Sequence, residues 1–225
     1  MKKIAFIGLL LLTATQINAQ SKFDQKLVDA YLKEADDHAA LYYAPLEQPF
    51  NATRWENDPF WESPEGSIGT VYYDGVLYKD VMMRFNVAQQ QLAVATPKNK
   101  ILVCPDMSKI EYFTLFDQRF ERIDGRFAAM EFSDGNGVEF WNAKEKIKGP
   151  DVFINNHSYN SYIENDYYYL KIDGVMHKVK KAKDIAKLFP TAKSTMMKQL
   201  RETEYSIQGN KHNAMLYVLR FLPKR

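Results

Sequence analysis

The stretch that decides the fold runs Tyr167-Tyr168-Tyr169-Leu170-Lys171-Ile172-Asp173-Gly174-Val175-Met176-His177-Lys178-Val179. It places Asp-Gly between two runs rich in aromatic and β-branched residues. This dipeptide is favoured in two-residue hairpin turns because both turn positions need positive φ. The same dipeptide recurs at residues 74–75, 124–125 and 134–135. Four such turns predict an antiparallel meander, because connections this short cannot join parallel strands.

The sequence between and after these turns gives the fold class. Val81, Met83, Phe85 and Val87 occupy every second position, as on one face of a half-buried strand. After residue 180 the apolar spacing becomes helical, and Asp184 is placed to cap the first short helix. Two further helices are traced by Ala192, Met196, Leu200 and Thr203 and by Met215, Val218, Leu219 and Leu222. Strands followed by helices predict an α+β fold, with an N-terminal helix, a meander of about eight strands and a C-terminal helical cluster.

The chain divides into four segments on the same grounds. Residues 1–19 are expected to be a signal peptide, and residues 20–66 an N-terminal helix followed by a loop rich in proline and tryptophan. The meander is expected at residues 67–180 and the C-terminal helices at 181–225. The first helix is predicted over residues 23–43, with Phe23, Leu27, Tyr31, Ala35 and Tyr42 near one face.

The N-terminus has the layout of an export signal. Lys2 and Lys3 precede an apolar run over residues 4–12, and small or polar residues follow. This run is too short to span a bilayer, and the pattern predicts cleavage between Ala19 and Gln20. We therefore expect a periplasmic or extracellular protein with no transmembrane helix after the signal is removed.

The charge is balanced overall but unevenly distributed. Without Lys2 and Lys3 the chain has 28 basic and 28 acidic residues, which gives no general argument for nucleic acid as a partner. Residues 171–225 carry 13 basic and 4 acidic residues, whereas residues 20–170 carry 15 and 24. The basic end is either a solvated helical face or a patch for an anionic lipid, a glycan or an acidic partner.

No motif in the sequence indicates catalysis, a metal or a cofactor. The four histidines have no His or Cys neighbour at metal-ligand spacing, and neither a phosphate-binding glycine loop nor a nucleophile elbow is present. Cys104 is the only cysteine, so no internal disulfide can form. It lies in an apolar run and is predicted to be a buried, inert thiol.

The loop before the meander holds the candidate ligand-binding residues Trp55, Phe60 and Trp61. Aromatic faces stack on sugar rings, and the neighbouring acids could bond hydroxyl groups or cleave a glycosidic bond. The alternative is that the aromatic residues close one end of the sheet as a plug. The acids in question are Glu56, Asp58, Glu62 and Glu65.

Several motifs resemble those of an uncharacterised family of exported Gram-negative bacterial proteins, over about residues 67–221. They are Tyr72-Tyr73-Asp74-Gly75, Tyr78-Lys79-Asp80-Val81, Glu111-Tyr112-Phe113-Thr114, the block from Tyr167 to Gly174, Lys187-Leu188-Phe189-Pro190 and the residues from Lys211 to Ala214. The resemblance implies a β-rich fold and no particular reaction or cofactor.

Export without a catalytic motif favours a non-catalytic protein that binds another protein or an envelope component, including an envelope glycan. The alternatives are a small-ligand or glycan binder that uses the tryptophan loop and a carbohydrate-active hydrolase that uses two of its acids. A further alternative is peripheral membrane contact through the basic C-terminus.

Overall fold

The computed structural model describes residues 26–203 and 210–223. Over these residues the chain is broadly α+β, with mostly antiparallel sheet and four α-helices. The strands are β1 (Ser67–Tyr73), β2 (Val76–Asn86), β3 (Gln91–Ala95), β4 (Leu102–Val103), β5 (Ile110–Leu115), β6 (Gln118–Ile123), β7 (Arg126–Ser133), β8 (Val138–Lys148), β9 (Val152–Ile154), β10 (His157–Tyr159), β11 (Tyr162–Ile172) and β12 (Val175–Val179). The helices are α1 (residues 26–35), α2 (Ala182–Leu188), α3 (Lys193–Arg201) and α4 (Lys211–Leu219).

Ten strands form one sheet in the order β12-β11-β8-β7-β6-β5-β1-β2-β3-β4, and β9 and β10 form a separate hairpin. All the paired strands are antiparallel. The described residues thus hold twelve strands rather than about eight. The order also departs from a single meander, because β1 lies between β2 and β5 and so joins two runs of hairpins.

The Asp-Gly turns account for three of these hairpins. Asp74, Asp124 and Asp173 have φ of 51°, 51° and 48°, and the glycine after each also has positive φ. These values match the expected turn with two left-handed residues. The fourth pair differs because the β7–β8 connection is longer. There the carboxylate of Asp134 accepts hydrogen bonds from the backbone N–H groups of Asn136 and Val138.

One row of cross-strand partners shows where the core lies. In order across the sheet, the row is Val71, Phe113, Phe120, Ala129, Asn142, Tyr168 and Val179. Its first four members belong to one hydrophobic core and its last two to another, which α2, α3 and α4 complete. Cross-strand partners lie on the same face of a sheet, so both cores cover one continuous face. Asn142 is the single polar residue in the row and lies between the cores, only 1% exposed.

The first part of the sheet curls strongly enough for the β2–β3 turn to reach β7 and β8. The side-chain amide of Gln90, in that turn, donates to the carbonyl of Lys144 at 3.2 Å and accepts from the N–H of Phe127 at 3.0 Å. This curl packs the rings of Phe85 and Phe127 against each other, with centroids 6.2 Å apart.

Two local predictions need correction. Asp184 is not the cap of α2: it is the third helical residue, and its carboxylate accepts the N–H of Lys180 at 3.3 Å. On α1, the side chains of Leu27 and Tyr31 are 56% and 59% exposed, so the predicted apolar face is not buried there. Ala35 and Tyr42 of that predicted face do pack against the first core, together with Leu32, although α1 ends at residue 35 and Tyr42 lies beyond it. Phe23 and the predicted cleavage site at Ala19 and Gln20 lie outside the described residues.

Within residues 26–203 and 210–223, no helix has the length and apolar character needed to cross a membrane.

Candidate functional site

The tryptophan loop is attached to the sheet along the end of β2. The N–H of Trp61 donates to the carbonyl of Phe85 at 2.9 Å, and the N–H of Val87 donates to the carbonyl of Pro59 at 2.8 Å. We call residues 59–61 the strap. Phe60 and Trp61 are each only 2% exposed, and the ring of Trp61 meets that of Phe120 edge-on at 5.0 Å.

These contacts place two of the three predicted ligand-binding residues in the core. The rings of Phe60 and Trp61 have no free face for a sugar, so this geometry corresponds to the plug and not to an open groove. Trp55 is partly exposed, but one face of its ring is stacked on Tyr162, with centroids 4.2 Å apart. Stacking of a ligand on Phe60 or Trp61 would require the strap to leave the sheet.

The loop acids are not arranged as a pair that faces one substrate. The carboxylate of Asp58 accepts the N–H of Phe60 at 2.8 Å and lies 3.9 Å from the Nζ of Lys146. Lys146 also donates to the carbonyl of Phe60 at 2.8 Å, so Asp58 and Lys146 both hold the strap in place. Glu56, Glu62 and Glu65 are exposed.

Two further predictions, one for Cys104 and one for metal ligands, concern residues outside the tryptophan loop. Cys104 is half-buried rather than buried as predicted. Burial and the nearby Glu47 raise the pKa of its thiol, which favours the protonated, less nucleophilic form. In the described part of the chain, no group of three or more His, Cys, Asp or Glu residues could hold a metal ion.

A set of polar residues lies where the two hydrophobic cores meet. We call it the polar cluster; its members are Glu131, Asn142, Lys144, Glu164, Asp166 and His212. The amide of Asn142 donates to Glu131 Oε1 at 3.2 Å, and His212 Nε2 lies 3.4 Å from Glu131 Oε2. The helix α4 is thereby connected to the sheet through a histidine and a carboxyl group.

Glu131 is the least solvated acid of this cluster. Its side chain is 10% exposed, and burial raises its pKa to about 7. Burial also lowers the pKa of His212. Burial therefore favours the neutral form of both Glu131 and His212. Glu131 Oε2 and Asn142 Oδ1 are buried and accept no hydrogen bond from the described residues.

The other acids of the polar cluster are neutralised by lysines. Glu164 bonds to Lys144 and lies 3.7 Å from Lys146, and Asp166 lies 3.8 Å from Lys144. Burial alone would lower the pKa of Lys144, but these carboxylates have the larger effect and raise that pKa. Burial and the hydrogen bond to Asp166 raise the pKa of Tyr168, whose ring lies 5.6 Å from that of His212.

The C-terminal helices present a second candidate, which we call the basic helical surface. Their apolar residues face the second core, and the exposed basic residues of α2 and α3, with Lys181 just before α2, are Lys181, Lys183, Lys187, Lys193, Lys198 and Arg201. Residues 181–201 contain one acid, Asp184, which lies 3.4 Å from the Nζ of Lys187. The surface therefore keeps a strong excess of positive charge.

Sequence reasoning predicted the basic excess but missed the polar cluster. One signal was available, because Glu131 interrupts the apolar run Phe127-Ala128-Ala129-Met130-Glu131-Phe132. A carboxyl group inside such a strand has to be paired or neutral. Its partner His212 is 81 positions away, and only the packing of α4 on the sheet brings the two together.

No family model, curated protein or solved structure matches this chain. The resemblance to exported bacterial proteins therefore stays a prediction.

Proposed function

We propose that the protein is an exported, non-catalytic binding protein that docks on the anionic lipid headgroups of the cell envelope through its basic helical surface. The observation that carries the proposal is the set of six exposed basic side chains over residues 181–201, against one acid that is already paired. Each lysine or arginine near an anionic membrane contributes about 1 kcal/mol to binding, so a cluster of this size is sufficient for reversible attachment.

Exposed apolar side chains on the strand that precedes α2 support a membrane over an acidic protein as the partner. Val175 and Met176 of β12 are 59% and 39% exposed and lie a few residues before the basic segment 181–201 in the sequence. Peripheral attachment combines electrostatic attraction with some buried apolar area. In this proposal the C-terminal helices act as the docking element and the sheet acts as their support.

Vesicle sedimentation tests the proposal. We expect the purified chain to bind vesicles that contain phosphatidylglycerol but not pure phosphatidylcholine, and added salt should weaken binding because exposed charges are screened. Replacing Lys183→Glu and Lys198→Glu together should weaken binding by about tenfold or more, because two attractive charges become repulsive.

The matched control is Lys98→Glu with Lys100→Glu, which changes net charge equally in the exposed turn between β3 and β4. This control should bind almost as tightly as the parent. Equal losses in the two double variants, binding that ignores lipid charge, or turnover of a substrate by the purified chain would each contradict the proposal.

A further inference from the structure

A cleft of about 620 Å³ opens between the β11–β12 hairpin and the first turn of α4. Its walls include Asp166 and Tyr168 from β11, Lys180 from the end of the hairpin, and Lys211 and His212 from α4. Its volume is within the range of small-molecule sites. The cleft is separate from the strap and from the basic helical surface defined above.

The uncommitted charges of this cleft are positive. Within residues 26–203 and 210–223, neither Lys180 nor Lys211 lies within ion-pair distance of an acid. By contrast, the carboxylates of Glu164 and Asp166 on the opposite wall are already neutralised by Lys144. A ligand that neutralises these two lysines must therefore carry negative charge near them.

The backbone at this end of α4 adds to the same preference. Asn210, the residue before the helix, makes no side-chain capping bond, and the first turn contains no acid. The first N–H groups of a helix lack partners within it and carry partial positive charge. Lys211 and His212 belong to this first turn, so an anionic group between Lys180 and Lys211 would also meet the favourable end of the helix dipole.

The remaining wall offers groups suited to hydroxyls. Asp166 is an acceptor, the Tyr168 hydroxyl donates to Asp166 and can still accept a hydrogen bond, and His212 has one ring nitrogen left after Nε2 faces Glu131 at 3.4 Å. Glu131 is 10% exposed and Asn142 1% exposed, so a buried, hydrogen-bonded pair lies on this side of the histidine. The polar groups and the two lysines that line the cleft would thus contact different parts of one ligand.

We infer that this cleft binds a small polyhydroxylated anion, of the class of sugar acids and sugar phosphates, with its charged group at Lys180 and Lys211 and its hydroxyls at Asp166, Tyr168 and His212. This inference goes beyond the proposed docking on lipid, because the ligand is soluble and the residues differ.

Isothermal titration calorimetry of the purified full chain tests the inference with four probes: glucuronate, glucose 6-phosphate, inorganic phosphate and neutral glucose. We expect glucuronate or glucose 6-phosphate to bind with a Kd below about 1 mM, and glucose to bind at least about tenfold more weakly. Binding by only one of the two anions identifies the source of the charge. If inorganic phosphate binds as tightly as glucose 6-phosphate, the hydroxyl contacts are wrong and the inference is overturned.

Matched variants locate the binding. Lys180→Ala with Lys211→Ala should weaken binding of the preferred anion at least about tenfold, since two charge-assisted contacts are lost. Lys183→Ala with Lys198→Ala, which removes equal charge from α2 and α3, should change it less than about twofold. Failure of both anions to bind, or equal losses in the two double variants, would overturn the inference. The vesicle test depends on other lysines, so its outcome is independent of this one.

Discussion

At the scale of single residues, Glu131 is the position where this chain departs most from an ordinary core. It lies beside the one polar member of the buried cross-strand row, and within residues 26–203 and 210–223 it accepts a hydrogen bond only from the amide of Asn142. Leaving a carboxylate there without full solvation costs free energy unless the group takes up a proton. The structure therefore makes Glu131 a proton-dependent element of folding stability.

The first prediction concerns the pH dependence of this residue. Because its pKa is raised from 4.5 to about 7, the folded chain keeps a proton that the unfolded chain loses. Its contribution to stability is therefore present below pH 4.5 and is lost as pH rises through about 7, by about 3 kcal/mol at most. Glu131→Gln cannot ionise, so we expect it to gain stability over the parent at pH 8 and to match it at pH 5.

Urea denaturation of both proteins at the two pH values measures this difference. His212 acts in the opposite direction, because its lowered pKa reduces stability as pH falls below 6.5, but it is present in both proteins. Glu111→Gln, at an exposed position of β5, is the matched control and should show no such gain. A Glu131→Gln protein that is equally destabilised at both pH values would contradict the assignment.

At the scale of elements, three of the four Asp-Gly turns were predicted correctly, whereas the cap assigned to Asp184 was wrong and the strand order was not predicted. The turns at Asp74, Asp124 and Asp173 could be predicted because an Asp-Gly pair sets its own backbone angles. The pairing of β1 with β5 could not be predicted. The strands β2, β3 and β4 lie between them in the sequence, and no local pattern indicates a partner that far away. Trp61 illustrates the same limit: its residue type suits a binding face, and only the bonding of the strap to β2 makes it a core residue.

The strap gives the prediction that belongs to this scale. Trp61→Ala should lower the free energy of unfolding by about 3–5 kcal/mol, because it removes a large buried ring and leaves a cavity. Trp55→Ala should cost much less, since that ring is partly exposed and loses mainly its stacking on Tyr162. Circular dichroism in a urea series measures both. A stable Trp61→Ala protein that loses binding of a glycan would instead restore the predicted binding role.

At the scale of the whole molecule, one face of a ten-stranded sheet carries the two larger cores, and a smaller cluster around Trp141 and Tyr169 is separate from them. The first core is completed by the sheet's own curl, the strap and the segment around Ala39 and Leu41, and the second by the C-terminal helices, with the polar cluster between them. The α+β class and the basic C-terminal end could be predicted because both follow from the order of segments and from composition. The cleft could not, because its residues come from β11, β12 and α4 and meet only after the helices have packed.

The charge asymmetry belongs to this largest scale and connects fold with function. Packing α2, α3 and α4 on the sheet buries their apolar residues and leaves the lysines and Arg201 on the outside. Basic residues 181–201 thus follow β12 at one edge of the sheet, whereas β3 and β4 form the other edge in the strand order. This separation predicts that an anionic surface contacts one end of the protein only.

Hydrogen exchange of the purified chain, with and without phosphatidylglycerol vesicles, tests this claim most directly. The account predicts slower exchange on the vesicles in α2 and α3, and unchanged exchange in β1 to β3 and in the strap. Protection that instead spread over the first half of the sheet, or no change anywhere in the presence of the vesicles, would contradict it.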